Sequence, residues 1–203
     1  MPIHIEFYRD LTAEAAFSAV MICWLAFAAI AMMGSRGAVR SDAKRDPKSH
    51  LGFFLQSVGY AICYIFARPW FSPFLPMPKT AEQILAAFAV AIALASVWFC
   101  FSAARTLGKQ WALVARVIEG HELVTRGPYA VVRNPIYLAM LGMLIASALT
   151  AARWQIFPVA IAFLQIGTDI RVRAEEKLLR EAFGAKFDDY ARRVPAVFPR
   201  LIR

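Results

Sequence analysis

Two short segments hold most of the residue types that could bind a small polar molecule. The first, residues 121–137, has the sequence HELVTRGPYAVVRNPIY and lies between long apolar runs. The second, residues 171–176, has the sequence RVRAEE. Arginine suits bidentate binding of a carboxylate, whereas a carboxylate can hold an ammonium group or ribose hydroxyls. These residue types favour recognition of a charged small molecule.

The first segment combines a turn with the start of a helix. Gly127-Pro128 is a turn signal, and Asn134 before Pro135 predicts an N-cap followed by the first helical position. A helix N-terminus presents free N–H groups and a positive dipole end, which can hold a carboxylate. The structural alternative is an elbow at the membrane surface, anchored by Tyr129, Tyr137 and neighbouring arginines.

The second segment places Arg171 and Glu175 on one face of a helix, because residues four apart are neighbours there. Helical periodicity continues through Phe183, and Gly184 predicts the end of that helix. Where the helix leaves the bilayer, such a pair can point into the mouth of the bundle. The structural alternative is an exposed ion pair worth about 0.5 kcal/mol.

A third segment, residues 183–201, has the sequence FGAKFDDYARRVPAVFPRL. Its aromatic and basic residues predict an amphipathic closing segment on the membrane, which either packs as a tail or contacts the ligand.

Composition predicts an integral membrane protein. The chain is 60% hydrophobic and 18% charged, against about 45–50% and about 25% in soluble domains. Proline at Arg68-Pro69 should end the second apolar run near Ala67, since it removes a helix hydrogen bond. We therefore expect an all-α helical bundle with about five transmembrane helices, which begin and end near residues 13–34, 51–67, 84–104, 135–149 and 154–170.

The charge distribution predicts the orientation. Five Lys/Arg lie in the loop after the first run, five in residues 105–133 and nine from Arg171 onward, whereas the opposite connections hold one apiece. The positive-inside rule then places the N-terminus outside and the C-terminus in the cytoplasm. This topology accounts for the net charge of +9 without nucleic acid. Cys23, Cys63 and Cys100 lie in apolar runs, and we expect them to be buried hydrophobes, not metal ligands.

The order of these pieces, from LGKQWALV through HELVTRGPYAVVRNPIY and Arg-x-x-x-Glu-Glu to FGAKFDDYARRVP, resembles the isoprenylcysteine carboxyl methyltransferase family and the related phospholipid methyltransferases. The resemblance covers about residues 105–199. It implies a prokaryotic-type, S-adenosylmethionine-dependent methyltransferase in the cell membrane. The chain would be one domain, 1–203, with transmembrane helices in 1–104 and a cytoplasmic cofactor-binding and catalytic region in 105–203.

The resemblance also implies roles for individual residues. Arg171 and Glu175 become the catalytic pair, with Arg171 facing the acceptor's carboxylate and Glu175 holding a polar group of the cofactor. The acceptor would be lipophilic and enter from the bilayer, with no metal or nucleic acid involved. The other residues expected to line the cofactor are His121, Glu122, Leu123, Val124, Tyr129, Asn134, Pro135, Ile136 and Tyr137.

Two departures from the family pattern leave the acceptor open. Asn134 stands where the family commonly has histidine, and residues 112–114 (Ala-Leu-Val) have no polar side chain where members often carry one. An amine, as in phosphatidylethanolamine N-methylation, or a small thiol is an alternative to the carboxylate. A sterol-reductase-like enzyme using NADPH and a non-enzymatic assembly partner are alternatives of other classes.

Overall fold

The computed structural model describes residues 10–36, 48–69, 72, 74–108 and 123–199. Those residues fold into α-helices joined by turns, so the all-α class is confirmed. Two 3-10 turns, Gly127–Ala130 and Trp154–Ile156, precede the fourth and fifth helices. The helices are α1 (Leu11–Arg36), α2 (Lys48–Ile65), α3 (Lys79–Leu107), α4 (Pro135–Ala151), α5 (Phe157–Phe183) and α6 (Ala185–Arg193).

Helix α4 lies in the middle of the bundle. On one side it packs against α1 and α3 through a cluster that includes Val20, Cys100 and Met143. On its other side a second cluster joins it to α2 and α5. Nine of its 17 residues are buried, which agrees with its sequence being almost entirely apolar and small. The three cysteines are buried, as expected.

Helices α2 and α5 run antiparallel and pack unusually closely. Gly52 lies opposite Gly167, and Gly59 lies opposite Ala160, so small residues seven apart on both helices face one another. A Cβ atom added at Gly167 would lie 2.5 Å from the carbonyl oxygen of Gly52. Small residues allow this close approach of backbones, as is common in membrane helix pairs. The contact fixes the register of α2 against α5.

The expected number of about five spans is supported only in outline. Among the described residues, three segments are long and apolar enough to cross a membrane: Leu11–Met33, Lys79–Leu107 and Trp154–Phe183. Helix α4 is apolar but has 17 residues, and α2 has 18. Helix α2 ends at Ile65, close to the predicted break. The fifth apolar run ends near Ile170, but its helix α5 continues to Phe183, as the helical periodicity predicts, and carries the RVRAEE segment within it.

Arg68 lies just beyond the end of α2, where backbone carbonyl groups at the end of α4 bind its guanidinium. Its guanidinium donates to the carbonyl oxygens of Leu149 (2.9 Å), Thr150 (3.1 Å) and Ala152 (3.2 Å) at the end of α4. Those carbonyls lack partners within the helix, and a cation also complements the negative end of the helix dipole. Burial lowers the pKa of Arg68 to about 10. The residue therefore caps α4 at the end of the bundle opposite to RVRAEE.

Candidate functional site

Tyr137, Arg171 and Glu175, which the sequence singled out, meet at one end of the bundle, called the site end below. It is formed by the start of α2, the start of α4, the second half of α5 and the C-terminal segment 194–199. Tyr137 of α4, Val172 of α5 and Val197 of the C-terminal segment make a small buried cluster there. The two polar segments are thus brought together by α4 and α5, although Tyr137 and Arg171 are 34 positions apart in the chain.

Arg171 is buried, with 7% of its surface exposed. Its guanidinium carbon lies 5.1 Å from the ring centre of Tyr137 and 5.8 Å from that of Phe53 on α2. One of its terminal nitrogens donates to Oε1 of Gln56 at 3.0 Å. The other lies 4.0 Å from Oε1 of Glu175. The pair is therefore not the exposed ion pair that the i,i+4 spacing alone allows, since aromatic rings and a buried amide surround the guanidinium.

Glu175 joins the two predicted segments directly. Its Oε1 accepts a hydrogen bond from the Tyr137 hydroxyl. Its side chain is 24% exposed, whereas that of Arg171 is 9% exposed. The site end therefore presents a carboxylate that is partly accessible and a guanidinium that is nearly enclosed. Together they can recognise a ligand carrying groups of both signs.

The start of α4 lies where the sequence predicts it, but Asn134 acts differently from the prediction. Asn134 occupies the N-cap position and Pro135 the first helical position. However, the Asn134 side chain does not cap the helix; its Nδ2 donates to the Ala196 carbonyl at 3.0 Å. The backbone N–H groups of Arg133 and Asn134 donate to Pro195 (2.8 Å) and Ala196 (2.9 Å). The Asn134 side chain therefore holds the C-terminal segment against the turn. The rule for helix N-caps considers only neighbouring residues, so it could not predict this distant partner.

The side chain of Arg133 binds the same C-terminal segment. Its Nε donates to Oε1 of Glu176 at 3.0 Å, and one terminal nitrogen donates to the carbonyl oxygens of Ala191 (3.0 Å) and Val194. These contacts connect the turn before α4 with α5 and with the end of α6. Sequence reasoning assigned no separate role to Arg133 or Glu176, although both lie within the singled-out segments.

Helix α6 packs on the bundle through its aromatic side chains. Phe187 and Tyr190 are buried, and the Tyr190 hydroxyl donates to the backbone carbonyl of Tyr129 at 2.6 Å. Burial raises the pKa of Tyr190 to about 12. It also raises the pKa of Tyr129 well above its usual value, with the charge of Glu175 contributing. Of the two alternatives for residues 183–201, the packed tail therefore describes these aromatics.

The remaining predicted residues are placed less fully. His121, Glu122 and residues 112–114 lie outside the described residues. Leu123 and Val124 are half-buried in the stretch before the 3-10 turn, Tyr129 and Tyr137 are buried, and Ile136 packs partly against the α1–α3–α4 cluster. In the described parts of the chain, no three His, Cys, Asp or Glu side chains lie close enough to hold one metal ion.

Sequence reasoning did not identify Phe53 and Gln56 of α2. The available signal was an amide inside the apolar run that begins at Leu51, because a polar residue in such a run is often placed against a partner. Without the register of α2 against α5, that partner could not be named.

Comparison with known proteins gives two kinds of similarity. A family model described as phospholipid methyltransferase matches residues 84–186, half of the chain. Over 98 residues, the chain is 40% identical to the nickel-cobalt-cadmium resistance protein NccN of Alcaligenes xylosoxydans xylosoxydans and 39% identical to the cobalt-zinc-cadmium resistance protein CzcN of Cupriavidus metallidurans. Each alignment covers 47% of this chain, and it spans 45% and 44% of the two relatives. Arg171, Glu175 and Tyr137 all lie within the stretch that the family model matches.

Proposed function

The chain belongs to the phospholipid methyltransferase family, and from this premise we propose that it transfers a methyl group from S-adenosylmethionine to a membrane-associated acceptor. The observation that carries the proposal is the cluster of Arg171, Glu175 and Tyr137. Its members come from two separate motifs of the matched region, and the fold brings them together at the site end. Three apolar helices of spanning length support a membrane location.

The residues present fit the chemical groups of this cofactor. Glu175 is partly exposed and can hold its ammonium group or its ribose hydroxyls, while the Tyr137 hydroxyl keeps that carboxylate in place. The N-terminal turn of α4, from Asn134 to Tyr137, can border the same molecule. Tyr129 lies near enough for the charge of Glu175 to raise its pKa. When bound, the cofactor supplies a methyl group on a positively charged sulfur.

Arg171 supports a carboxylate as the acceptor's reactive group. A carboxylate oxygen forms the new bond to the methyl carbon, the methyl–sulfur bond breaks, and the sulfur keeps the electron pair, so that opposite charges are cancelled. No proton needs to be removed from the acceptor, and the main requirements are alignment and exclusion of water. Arg171 would orient the carboxylate, and the neighbouring rings of Phe53 and Tyr137 would keep water away.

The position of Phe53 supports entry of the acceptor from the bilayer. This residue lies 5.8 Å from the guanidinium of Arg171, yet it is 57% exposed on the outside of the bundle. A lipophilic acceptor could therefore bring its polar end to Arg171 while its chain stays in the membrane. We expect the chain to lie in a prokaryotic cell membrane with the site end facing the cytoplasm, because the sequence segments that precede α2 and α4 are rich in Lys and Arg.

An amine or thiol acceptor is the nearest alternative on the same scaffold. Both must lose a proton before attack, and a guanidinium has hydrogen-bond donors but no acceptor atom, so Arg171 is not suited to take that proton. The two relatives are named for metal resistance, a description that names neither a methyl acceptor nor a cofactor. The proposal is therefore limited to methyl transfer.

The test is transfer of tritiated methyl from S-adenosylmethionine by the full chain reconstituted in lipid. N-acetyl-S-farnesylcysteine, phosphatidylethanolamine vesicles and a small thiol serve as acceptors in parallel reactions. We expect a base-labile methyl ester on the farnesylcysteine and no comparable transfer to the other two. Transfer to the amine or the thiol alone would reject the carboxylate acceptor, and absence of both methyl transfer and S-adenosylhomocysteine binding would reject the methyltransferase.

A further inference from the structure

Three residues near the start of α2 lie against the side chain of Arg171, although α2 is outside the stretch that the family model matches. Gly52 packs against the aliphatic part of the arginine, where an added Cβ would come within 2.5 Å of its Cγ. Phe53 lies with its ring 5.8 Å from the guanidinium carbon. Gln56 accepts a hydrogen bond from one terminal nitrogen at 3.0 Å. Gly52 thus lies against the aliphatic part of Arg171, and Phe53 lies near its guanidinium. Gln56 binds one of the terminal nitrogens.

The orientation of the Gln56 amide follows from its two partners. Arginine can only donate hydrogen bonds, so the atom facing Arg171 must be the amide oxygen. The Nε2 group then donates to Oγ1 of Thr168 at 3.0 Å. Gln56 is 1% exposed, and turning the amide over would point its N–H donors at the guanidinium, so the buried contact with Arg171 would be unmade. Thr168 therefore holds Gln56, and Gln56 holds Arg171.

A neutral amide has a specific advantage at this position. It accepts a hydrogen bond from the buried guanidinium without cancelling its positive charge, whereas a carboxylate would form an ion pair with it. Glu175 already lies 4.0 Å from the other terminal nitrogen of Arg171. Gln56 therefore holds the guanidinium without adding a second negative charge beside it.

We propose that Gln56 is a positioning residue that determines acceptor specificity: it fixes Arg171 in the orientation that binds an anionic acceptor and preserves its charge. This inference rests on the proposed function, since it assumes that Arg171 binds the acceptor's carboxylate. Gln56 itself touches Arg171 and not the reacting atoms.

The test compares Gln56→Leu and Gln56→Glu with the wild-type chain. The matched control is Gln165→Leu on α5, where the amide donates to Asp169 in an exposed pair. We measure KM and kcat for N-acetyl-S-farnesylcysteine, and the inhibition constant of the corresponding uncharged amide. We also measure the Kd of S-adenosylhomocysteine, which reports an intact cofactor site.

Loss of one hydrogen bond to a charged group should raise KM for the carboxylate about tenfold in Gln56→Leu. Gln56→Glu, which keeps the shape of the side chain but neutralises Arg171, should raise it further, by about 100-fold. In both variants kcat should change less than KM, and the inhibition constant of the uncharged amide should stay near the wild-type value. A general loss of structure would instead weaken both ligands.

Three results would overturn the inference, and they differ in what they leave standing. If both Gln56 variants match Gln165→Leu, methyl transfer stands but Gln56 has no positioning role. If KM for the carboxylate and the inhibition constant of the amide rise together, Gln56 only stabilises the bundle. If the wild type binds S-adenosylhomocysteine without methylating farnesylcysteine, the carboxylate acceptor is wrong and the role of Gln56 falls with it.

Discussion

At the scale of single residues, the proposed chemistry depends on an arginine side chain that is nearly enclosed by the protein. Aromatic rings lie near its guanidinium, the Gln56 amide accepts from one nitrogen, and Glu175 lies 4.0 Å from another. In such surroundings a guanidinium binds a carboxylate more strongly than it does in water, because there is less solvent to screen the interaction. The cost is that removing any partner leaves a buried charge poorly compensated.

Arg171→Ala should lower kcat/KM for N-acetyl-S-farnesylcysteine by about 100-fold, since a bidentate contact with the acceptor would be lost. Binding of S-adenosylhomocysteine, followed by calorimetry, should stay close to wild type. Arg173→Ala is the matched control, because Arg173 is an exposed arginine on the same helix. Wild-type turnover by Arg171→Ala would refute the role given to this residue.

The spacing of Arg171 and Glu175 placed them on one helix face, but spacing alone also allowed an exposed ion pair, and their proposed roles came from the family resemblance. Gln56 could not, because its role depends on which helix packs against α5 and in what register. Asn134 was placed correctly at the N-cap, but the partner of its side chain is Ala196, 62 positions away. Long-range partners of this kind are outside the reach of local pattern rules.

At the scale of elements, two contacts hold the site in shape. The close α2–α5 pairing sets Phe53 and Gln56 beside Arg171, and the C-terminal segment is bound to the turn before α4. Small residues make the first contact, whereas Arg133, Asn134 and Tyr190 make the second. The bounds of α2 and the helix stop at Gly184 agree with the sequence-based expectations, because proline and glycine act locally. Helix α5 continues beyond Ile170 to Phe183, so the charged residues that begin at Arg171 do not end the helix.

Gly167→Ala should force α2 and α5 apart, since the new Cβ would meet the Gly52 carbonyl oxygen at 2.5 Å. We expect a lower unfolding temperature in detergent and a raised KM for the acceptor, because Gln56 would move away from Arg171. Ala61→Val, which adds volume at an exposed position of α2, should change neither. Equal behaviour of the two variants would show that the close approach does not position the site.

Tyr190→Phe should destabilise the chain by about 1 kcal/mol, because it removes a buried hydrogen bond to the Tyr129 carbonyl. Burial raises the pKa of Tyr190 from 10 to about 12, so the folded state holds this proton more tightly than the unfolded state. The stability difference between wild type and variant should therefore be constant below pH 10 and shrink between pH 10 and about 12. Unfolding temperatures of both proteins across this range measure it, and a difference that grows with pH would contradict the assignment.

At the scale of the whole molecule, the bundle separates two ends. The site end gathers the residues of the proposed reaction, whereas the opposite end has Arg68 bonded to the last carbonyls of α4. The sequence predicted the helical class and the grouping of polar segments from hydropathy and charge. It was less successful in counting spans, because α2 and α4 are shorter than typical membrane-crossing helices and α4 is shielded by its neighbours.

Labelling of introduced cysteines tests the orientation. The three natural cysteines are buried, so Lys186→Cys at the site end and Lys79→Cys at the opposite end provide exposed single targets. A membrane-impermeant maleimide applied to intact cells should label position 79 and leave position 186 unlabelled until the cells are opened. The reverse pattern would place the site end outside.

The central claim, that the site end holds S-adenosylmethionine, is tested most directly by calorimetric titration of the full chain with S-adenosylhomocysteine, run in parallel with NADPH. We expect saturable binding of one S-adenosylhomocysteine per chain, no binding of NADPH, and binding at least about tenfold weaker in Glu175→Ala, because a charged partner would be lost. Asp169→Asn, an exposed carboxylate on α5, serves as the control and should bind like wild type. Binding of NADPH without S-adenosylhomocysteine, or equal affinity in Glu175→Ala, would contradict the account.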